Sequence, residues 1–515
     1  MSSPSSTSSS GWEAPRAPVV PRVVVNELMA ANDSSWQAAS GAFPDWLELE
    51  NRSDVDVDLG RVEVSDDSGE TWTGPAGTAL APGARWLLVA DDGGGATAPF
   101  RLSSEADRLV VTVDGVETDA VEVVDLQADT ALARIPDGGD AWAVTIAPTP
   151  GEPNVASTST DPSDPLFGDD QVLAFAIAVD PADEAALDVQ GGPGVPGTLT
   201  YDGVTLDVTV KLKGSGTFQP LAGKPSFVLD VNDRVPGQRL RSLEAITLNN
   251  ADHDPTYVRE FLAYELFTAA GVPSPRAGFA RVTYNGADYG LYVHVEAVDD
   301  VFLARWFADP SGMLLEGTPD ADLDATWPLL DPDEGAVDAA FLDSLAAALA
   351  DPTAPDAEAA LDARVEVDAF ATYAAIEAVA MHWDGYQNPK NWYVYLDPTT
   401  DRLWWIPHGT DWTWMKTWPI DHGDGAVFGF CLAVDGCRAA YRDALAEACD
   451  LADGLALPDR YLALRAWLAP EIASDPRNDD SPFTIDNHTS TTEANLRSRT
   501  TEVRAELADA VVRRR

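Results

Sequence analysis

Apolar and polar residues alternate in short runs over residues 22–154, and clusters of turn residues separate the runs. Examples are Arg22–Leu28, Trp46–Glu50, Val55–Leu59 and Trp86–Ala90, with Gly, Pro and Asp concentrated between them. Short strands that recur between turn signals at regular spacing are typical of β-sandwiches. The pattern therefore predicts an all-β sandwich over residues 22–154.

The segments on either side of this region are poor in apolar residues. Ser2–Ser10 is a serine-rich stretch of low complexity, and the residues around 156–164 are mostly Ser, Thr, Asp and Pro. Such compositions are typical of flexible spacers. We therefore predict a disordered leader or spacer at 1–21, a linker at 155–165 and a second domain, 166–515, of mixed strands and helices.

The second domain opens with strands that carry lysines. In Val208–Lys213 the apolar residues share one face of the predicted strand, which places Lys213 on the polar face. A glycine loop, Gly214–Gly216, follows, and Lys224 precedes a second predicted strand, Ser226–Val231. A lysine beside a glycine turn is suited to binding phosphate, because the glycine lets the backbone approach a nucleotide.

A helix with clear boundary signals comes next. Asp254 is a suitable N-cap, Pro255 suits the first helical position, and Gly271 ends the pattern. Glu265 borders the apolar stripe of this helix, so it could offer a carboxylate to a nucleotide-binding lysine. Surface charge on a helix is the alternative explanation of Glu265.

Two further strands, Ala280–Tyr284 and Tyr289–Val295, flank an Asn285-Gly286 turn and end at Glu296. Asn-Gly between alternating runs is a strong hairpin signal. The sequence therefore predicts a β-hairpin that leads directly to a carboxylate.

The densest set of polar candidates lies between His382 and Trp414, among many aromatic residues. A predicted helix, Val367–Met381, leads to Asp384, and a predicted hairpin that begins at Asn391 leads to Asp411. A kinase needs a carboxylate to position the acceptor hydroxyl, an Asn, and a metal-binding Asp after a short hairpin. This order predicts a phosphoryl-transfer centre.

Composition excludes some partners and leaves others open. The chain has 515 residues, 85 acidic against 33 basic, and a formal net charge of −52. Such a surface repels nucleic acid, because binding phosphate backbones requires Lys and Arg. We therefore expect no nucleic-acid partner, and the apolar share of 45% predicts folded domains.

Several features bear on the compartment. No apolar run reaches the roughly 18 residues of a membrane-spanning helix, so no membrane span is expected, and no signal peptide is visible. Cys431 and Cys437 enclose a short loop and could pair, which would leave Cys449 unpaired and weakly favours an oxidising compartment. With the serine-rich spacer, these features predict a secreted or cell-surface protein.

The region from His382 to Thr413 resembles the CotH family of atypical protein kinases, first known from spore coats. The matching residues are His382-Trp-Asp-Gly, Asn391-Trp-Tyr-Val-Tyr and Trp405-Ile-Pro-His-Gly-Thr-Asp-Trp-Thr. Further matches are Lys213-Gly-Ser, Lys224 and the Glu296 that follows Gly-x-Tyr. The resemblance implies an α+β atypical protein-kinase-like domain.

The resemblance also implies site roles and cofactors. It makes Asp384 the catalytic carboxylate, Asn391 and Asp411 ligands of Mg²⁺ or Mn²⁺, and Lys213, Lys224 and Glu296 residues that bind ATP. Of the two lysines, we favour Lys213 for the phosphate contact. One departure concerns His408-Gly409, which stands where the family has Trp-Asp, so a carboxylate that could hold a second metal is missing.

Residues 22–154 resemble a lamin-tail domain, an immunoglobulin-like sandwich. The matching features include Val25-Asn-Glu, Asp45-Trp-Leu-Glu-Leu, Arg134-Ile-Pro-Asp-Gly and Pro148-Thr-Pro-Gly. Such modules bind partners or act as spacers, and nothing in this one indicates catalysis. The fold expected for the whole chain is thus an immunoglobulin-like sandwich followed by a kinase-like domain.

Together these features predict a secreted or surface protein kinase that transfers the γ-phosphoryl group of ATP to Ser or Thr of a surface protein. One alternative is a non-catalytic surface or adhesion scaffold with a degenerate kinase-like domain. A hydrolase that uses Asp384 and Asp411 as an acid–base pair also remains open, because linear spacing does not give their separation. The spacing of His382, His408 and His422 matches no compact zinc motif.

Overall fold

The structure, a computed structural model, describes residues 20–91, 97–319 and 321–512. The predicted leader at 1–21 therefore lies almost wholly outside the described residues. The chain divides into two compact units, of which the first ends at Pro162 and the second begins at Ser163. This division falls within the linker predicted at 155–165.

The first unit is formed by antiparallel strands. These are β1 (Val23–Met29), β2 (Asp45–Asn51), β3 (Val57–Asp58), β4 (Val62–Ser65), β5 (Thr71–Thr73), β6 (Ala79–Leu80), β7 (Arg85–Ala90), β8 (Ala106–Val113), β9 (Val116–Val124), β10 (Ala131–Arg134) and β11 (Trp142–Thr145). One sheet has the order β11-β10-β1-β2-β7, another has β5-β4-β8-β9, and β3 pairs with β6. Inward residues of the two larger sheets, such as Leu49 and Val111, share one apolar core. The predicted all-β sandwich is confirmed.

The predicted strand Val55–Leu59 is wrong in extent. Only Val57–Asp58 is a strand, and Leu59–Arg61 forms a 3₁₀ turn. The Asp58 carboxylate accepts hydrogen bonds from the backbone N–H groups of Gly60 and Gly77, each at 2.9 Å. These bonds favour a turn, since a capping Asp satisfies backbone donors that a strand would pair with its neighbour.

Buried carboxylates tie the end of the first unit to its central strands. The two carboxylate oxygens of Glu27 accept hydrogen bonds from the backbone N–H of Thr149 at 3.1 Å. Glu48 Oε2 accepts from the Gly151 N–H at 2.6 Å. Burial raises the pKa of Glu27 to about 7, the Thr149 bonds oppose the shift, and the charge of Glu48 adds to it.

This raised pKa predicts that the first unit gains stability as the pH falls. The folded state holds the Glu27 proton more tightly than the unfolded chain does, so the stabilisation is full below the ordinary pKa and is lost as the pH rises through about 7. We expect a gain of roughly 2 kcal/mol in unfolding free energy from about pH 8 to about pH 5. Urea unfolding read by hydrogen exchange in β1 and β2 measures it.

The matched variants are Glu27→Gln and Glu117→Gln, the latter changing an exposed glutamate of β9. Glu27→Gln should weaken the pH dependence, because its side chain does not titrate, while Asp45, whose pKa burial raises to about 6, keeps part of it. Glu117→Gln should leave the dependence as in the wild type. An unchanged slope in Glu27→Gln would contradict the assignment.

The second unit begins with a closed β-barrel. Its strands are β12 (Val172–Val179), β13 (Val195–Tyr201), β14 (Val204–Lys213), β15 (Ser226–Asp230), β16 (Ala245–Asn249), β17 (Ala277–Tyr284) and β18 (Ala287–Glu296). The barrel order is β12-β13-β14-β15-β16-β18-β17, and the parallel pairing of β12 with β17 closes it. Alternate residues of β12, such as Phe175 and Ile177, are buried, as the period of two in a strand requires.

A smaller sheet and a layer of helices follow the barrel. The sheet has the order β20-β19-β21-β22, formed by β19 (Met313–Glu316), β20 (Asp331–Glu334), β21 (Trp392–Asp397) and β22 (Arg402–Pro407). The helices are α1 (Glu184–Leu187), α2 (Arg259–Ala269), α3 (Asp300–Trp306), α4 (Ala339–Leu349), α5 (Ala357–Asp362), α6 (Val367–Ala380), α7 (Ala426–Ala433), α8 (Asp435–Gly454), α9 (Leu457–Ser474) and α10 (Pro482–Val512). The α+β class predicted for this domain is confirmed.

Helix α6 lies at the centre of this unit. Except for Thr372, every residue from Phe370 to Ala380 is buried. Side chains of α2, α8 and β21 join the same apolar core. A helix that is apolar on all sides is stable only when other elements surround it, so α6 holds the residues that follow it in a fixed place.

Helix α2 starts later than predicted. It begins at Arg259, whereas Asp254 and Pro255 were expected to open it. Asp254 does bind backbone donors, since its carboxylate accepts from the N–H groups of Thr256 and Arg259 at 3.0 and 2.8 Å. The intervening residues form a turn in which Tyr257 has a φ of +62°. The N-cap of α2 is Val258, without a side-chain cap, so the predicted cap and the predicted boundary were both wrong.

Two further observations bear on the expected compartment. Cys431 and Cys437 form a disulfide between α7 and α8, and Cys449 is buried and unpaired. Burial raises the pKa of the Cys449 thiol to about 11. None of the helices in the described residues combines the length and apolarity needed to cross a bilayer.

Candidate active site

A cleft of about 930 Å³ opens in the second unit. One side is formed by β14, β16, the end of β18 and the glycine loop that begins at Gly214, and the other by the segments around β19–β22. The start of α2 lies between them. The predicted residues Lys213, Glu296, Asp384, Asn391 and Asp411 all line this cleft, whereas Lys224 does not.

The loop that carries Asp384 is shaped by a buried glutamate of α6. After α6, Met381 takes the left-handed conformation with φ +51°. The Glu377 carboxylate accepts hydrogen bonds from the N–H groups of Tyr386 and Gln387, at 2.6 and 3.0 Å. A side chain at Gly385 would overlap this carboxylate. The sequence therefore needs both Glu377 and Gly385 to turn Asp384 into the cleft.

Asp384 has contacts on both its backbone and its side chain. Its carbonyl accepts a hydrogen bond from the Asn391 N–H at 2.7 Å. Its Oδ1 lies 3.0 Å from the Lys390 Nζ, and the carboxylate is partly buried, with 14% of the side chain exposed. Lys390 is a cleft residue that sequence reasoning missed. Its position between Asp384 and Asn391, in a chain with few lysines, was the available signal.

Asn391 and the turn before Asp411 are packed together. Asn391 directly precedes β21, and Gly409 follows β22 with a left-handed φ of +56°. A Cβ at Gly409 would lie 2.7 Å from the Asn391 Nδ2. His382 holds the same turn, since its Nε2 lies 3.3 Å from the Gly409 carbonyl. The aspartate expected here from the family pattern would thus displace Asn391.

Asp411 lies in a short 3₁₀ turn, Thr410–Trp412, that packs against the start of α2. Its backbone carbonyl accepts a hydrogen bond from the Arg259 Nε at 2.8 Å. Its Oδ2 lies 3.6 Å from the His253 Nδ1, and this carboxylate raises the pKa of His253. His253 is a second cleft residue that sequence reasoning missed, and the polar run before α2 was its only signal.

Lys213 faces carboxylates across the cleft. Burial lowers its pKa, and the charges of Glu260, Glu316 and Asp411 oppose that shift. Glu260, in the first turn of α2, is fully buried, and its pKa is raised to about 7 by burial and by Asp411. Glu265, the expected partner of a lysine, instead binds Arg460 at 3.2 Å. Glu260 and Glu265 are five residues apart and so lie on different faces of α2, and of the two only Glu260 lines the cleft.

The Lys224 ammonium binds residues outside the cleft. Its Nζ lies 2.5 Å from the Asp475 Oδ2 and 2.6 Å from the Tyr257 hydroxyl, and the side chain is buried. The Asp475 Oδ2 also accepts a hydrogen bond from the Leu291 N–H at 3.0 Å. A buried, paired ammonium is costly to separate from its partner. The structure therefore does not bring Lys224 to the nucleotide position predicted for it.

Glu296 reaches the edge of the cleft with its carboxylate already paired. It binds the Arg276 guanidinium at 2.6 Å and the Arg305 guanidinium at 2.5 Å. The Arg276 backbone N–H donates to it at 3.0 Å. Its oxygens are therefore bound to protein donors, which differs from the predicted role in binding ATP directly.

His408 lies on the cleft where the family has Trp. Burial, with the positive charge of Lys213, lowers its pKa to about 3. It is therefore neutral at physiological pH. No group of three or more His, Cys, Asp or Glu side chains suited to a metal occurs in the described residues, which leaves the zinc arrangement of His382, His408 and His422 without support.

The oxygen donors on the cleft suit a magnesium ion bound together with phosphates. Asp411 supplies a carboxylate and Asn391 supplies an amide oxygen. Mg²⁺ prefers oxygen ligands and keeps several waters, so it is held by one or two carboxylates plus substrate phosphates rather than by a protein cage. The donor set therefore fits Mg²⁺ or Mn²⁺ with a nucleotide.

Comparisons with known proteins agree with the two resemblances. Residues 210–447 match the family described as CotH kinase protein, and residues 16–131 match the Lamin Tail Domain. A curated relative, Inner spore coat protein H of Bacillus subtilis (strain 168), is 29% identical over 135 residues, which are 25% of this chain and 35% of that protein. The chain thus spans about a third of the length of this relative.

Among solved structures, a proinflammatory kinase of Helicobacter pylori, CtkA, aligns with 62% of this chain and 92% of its own. The identity is 11% and the TM-score 0.26.

Proposed function

We propose that this chain, which carries a lamin tail domain followed by a CotH kinase domain, is a protein kinase that transfers the γ-phosphoryl group of ATP to Ser or Thr of a surface protein. The observation that carries the proposal is the single cleft on which Lys213, Asp384, Asn391 and Asp411 meet. These residues lie up to 198 positions apart in the chain, from 213 to 411. Only the fold brings them together.

Each residue has a role that follows from its chemistry. Asp384 accepts the proton of the acceptor hydroxyl, and Lys213 binds phosphate oxygens. Asn391 and Asp411 would hold the cation, which supplies charge neutralisation to the triphosphate when bound. Positioning and electrostatics account for most of the rate of phosphoryl transfer, so fixed backbone contacts at Asp384 and Asp411 suit the task.

The electrostatics of the cleft favour a metal-dependent reaction. Carboxylates of Glu260, Glu316 and Asp333 line it together with Asp384 and Asp411. A free triphosphate would be repelled by this many acids. A divalent cation held by Asn391 and Asp411 and bound to the phosphates would offset this repulsion, which supports the use of Mg²⁺ or Mn²⁺.

The location and partners are also proposals. The relative from Bacillus subtilis is named as a spore coat protein, and we propose a surface or coat location for this chain as well. The lamin-tail sandwich would then act as the module that docks or spaces the kinase domain near its protein substrate.

A second candidate function is a non-catalytic scaffold with a degenerate kinase-like domain. The Gly409 turn favours it, because the carboxylate missing there cannot be restored without moving Asn391. The presence of both the Asp384 and the Asp411 carboxylates on one cleft favours the kinase.

A transfer assay decides between the two candidates. The purified chain would be incubated with ATP labelled at the γ-phosphorus, an acceptor protein rich in Ser and Thr, and Mg²⁺ or Mn²⁺. We expect label on Ser or Thr of the acceptor or of the chain itself, and none when the metal is chelated. Absence of transfer with either metal, together with a folded protein, would favour the scaffold.

A further inference from the structure

Lys390 is a cation placed directly at the candidate base. Its Nζ lies 3.0 Å from the Asp384 Oδ1 and 3.6 Å from the centre of the Trp383 ring. The side chain is 34% exposed and lines the cleft that also holds Lys213. It can therefore meet a bound substrate while it stays close to Asp384.

Hydrogen bonds to backbone carbonyls fix the loop that carries this lysine. The Asn388 side chain donates to the Trp383 carbonyl at 2.9 Å, and the Asn391 N–H donates to the Asp384 carbonyl at 2.7 Å. Lys390 directly precedes Asn391, so its Cα is held beside the same site. A fixed backbone with a flexible four-carbon side chain gives a point charge that can move over a short range.

Packing against Trp383 does not by itself explain Lys390. A second lysine, Lys416, has its Nζ 4.1 Å from the centre of the same ring, and it is exposed and absent from the cleft lining. Both lysines therefore make a cation–π contact, and Lys390 alone of the two also contacts Asp384. The contact with Asp384 is what distinguishes its position.

We propose that Lys390 is a catalytic residue, whose ammonium contacts the transferring γ-phosphoryl group; this rests on the proposed kinase function. In the transfer, the acceptor hydroxyl oxygen forms a bond to the γ-phosphorus, and its proton passes to the Asp384 carboxylate. The bond from the γ-phosphorus to the β,γ-bridging oxygen breaks, and its electron pair leaves with ADP. Lys390 stabilises the negative charge on the equatorial phosphoryl oxygens during this exchange.

The ion pair with Asp384 prepares both groups for this step. With no substrate bound, the ammonium offsets the charge of the carboxylate among the many acids of the cleft. As Asp384 takes up a proton its charge disappears, and the ammonium is then free to bind phosphoryl oxygens fully. The stabilisation is therefore greatest in the transition state, which is the condition for raising kcat.

The test compares matched substitutions in the full chain. Lys390→Met and Lys416→Met each remove one cation from the Trp383 ring, and only the first removes charge from the cleft. We expect Lys390→Met to lower kcat by about 100-fold with the KM for ATP changed less than about threefold. Lys416→Met should keep kcat within about threefold of the wild type.

Two further variants separate charge from structure. Lys390→Arg keeps a cation and should recover at least about tenfold of the kcat lost in Lys390→Met. Lys390→Gln keeps a hydrogen-bond donor for Asp384 without charge, and its kcat should fall as much as that of Lys390→Met. It therefore measures the effect of the lost charge if the methionine variant does not fold. A residue that only packs against Trp383 would not be expected to recover kcat when it is replaced by arginine.

The possible outcomes distinguish a failure of this inference from a failure of the proposed kinase function. A wild type that transfers phosphate while Lys390→Met and Lys416→Met match it would overturn this inference and leave the kinase intact. Equal loss in Lys390→Met and Lys390→Arg would also overturn it. A wild type that transfers no phosphate would instead overturn the proposed function and this inference together.

Discussion

Replacing Asp384 with asparagine is expected to lower kcat for phosphoryl transfer by about 100- to 10,000-fold, the range of a positioned general base. Asparagine has the same size and cannot accept the hydroxyl proton. The backbone carbonyl of Asp384, which binds the Asn391 N–H, is unchanged by the substitution. The measurement is steady-state transfer to an acceptor protein, with ATP binding measured in parallel.

The fold should survive this substitution. The Lys390–Asp384 ion pair is partly exposed, and pairs of this kind contribute about 1 kcal/mol or less. A matched control is Asp401→Asn, in the turn between β21 and β22, where Asp401 is exposed and has a left-handed φ of +55° that asparagine tolerates. That control should transfer phosphate at the wild-type rate. Equal turnover in Asp384→Asn and the wild type would refute the role of Asp384 as the general base.

Replacing Asp411 with asparagine is expected to weaken metal-dependent ATP binding on the order of 100-fold and to lower turnover as well. The reason is that Asp411 is assigned to the cation, so the loss of its charge leaves the triphosphate less neutralised. Titration of ATP at several Mg²⁺ concentrations measures the effect. Without Mg²⁺, the variant should bind ATP no more weakly than the wild type, because it has one acid fewer to repel the phosphates.

The control for this second substitution is Asp333→Asn, which removes a carboxylate of β20 on the same cleft. Asp333 is not assigned to the metal, so the dependence on Mg²⁺ should stay as in the wild type. The two aspartates of the site are then separated by their effects, a loss of turnover at Asp384 and a loss of binding at Asp411. Identical Mg²⁺ dependence in Asp411→Asn and Asp333→Asn would refute the ligand assignment.

Local signals predicted the elements that end in site residues. The turn at Asn285-Gly286, where both residues have positive φ, and the hairpin of β21 and β22 were confirmed because hairpin chemistry is contained in a few neighbouring residues. The helix that leads to Asp384 was confirmed because a long apolar run has few alternatives to a buried helix. These three elements supplied most of the site.

Long-range contacts account for what sequence reasoning missed. Lys224 could not be assigned from its neighbours, since its partner Asp475 lies 251 positions away. Glu260 rather than Glu265 lies at the cleft, and the Arg460 that pairs with Glu265 lies 195 positions away in the chain. Packing of α2 against distant segments, which a local pattern does not contain, decided which acid faces Lys213.

The closed barrel has a consequence for how this protein can be divided. The family match, 210–447, starts inside β14 and stops inside α8. A fragment cut at those bounds would lose β12 and β13, leaving β14 and β17 as open edges that invite aggregation. It would also lose Asp475 and leave the Lys224 ammonium buried without its counter-ion. The smallest soluble fragment of the second unit should therefore begin before Val172 and extend beyond Asp475.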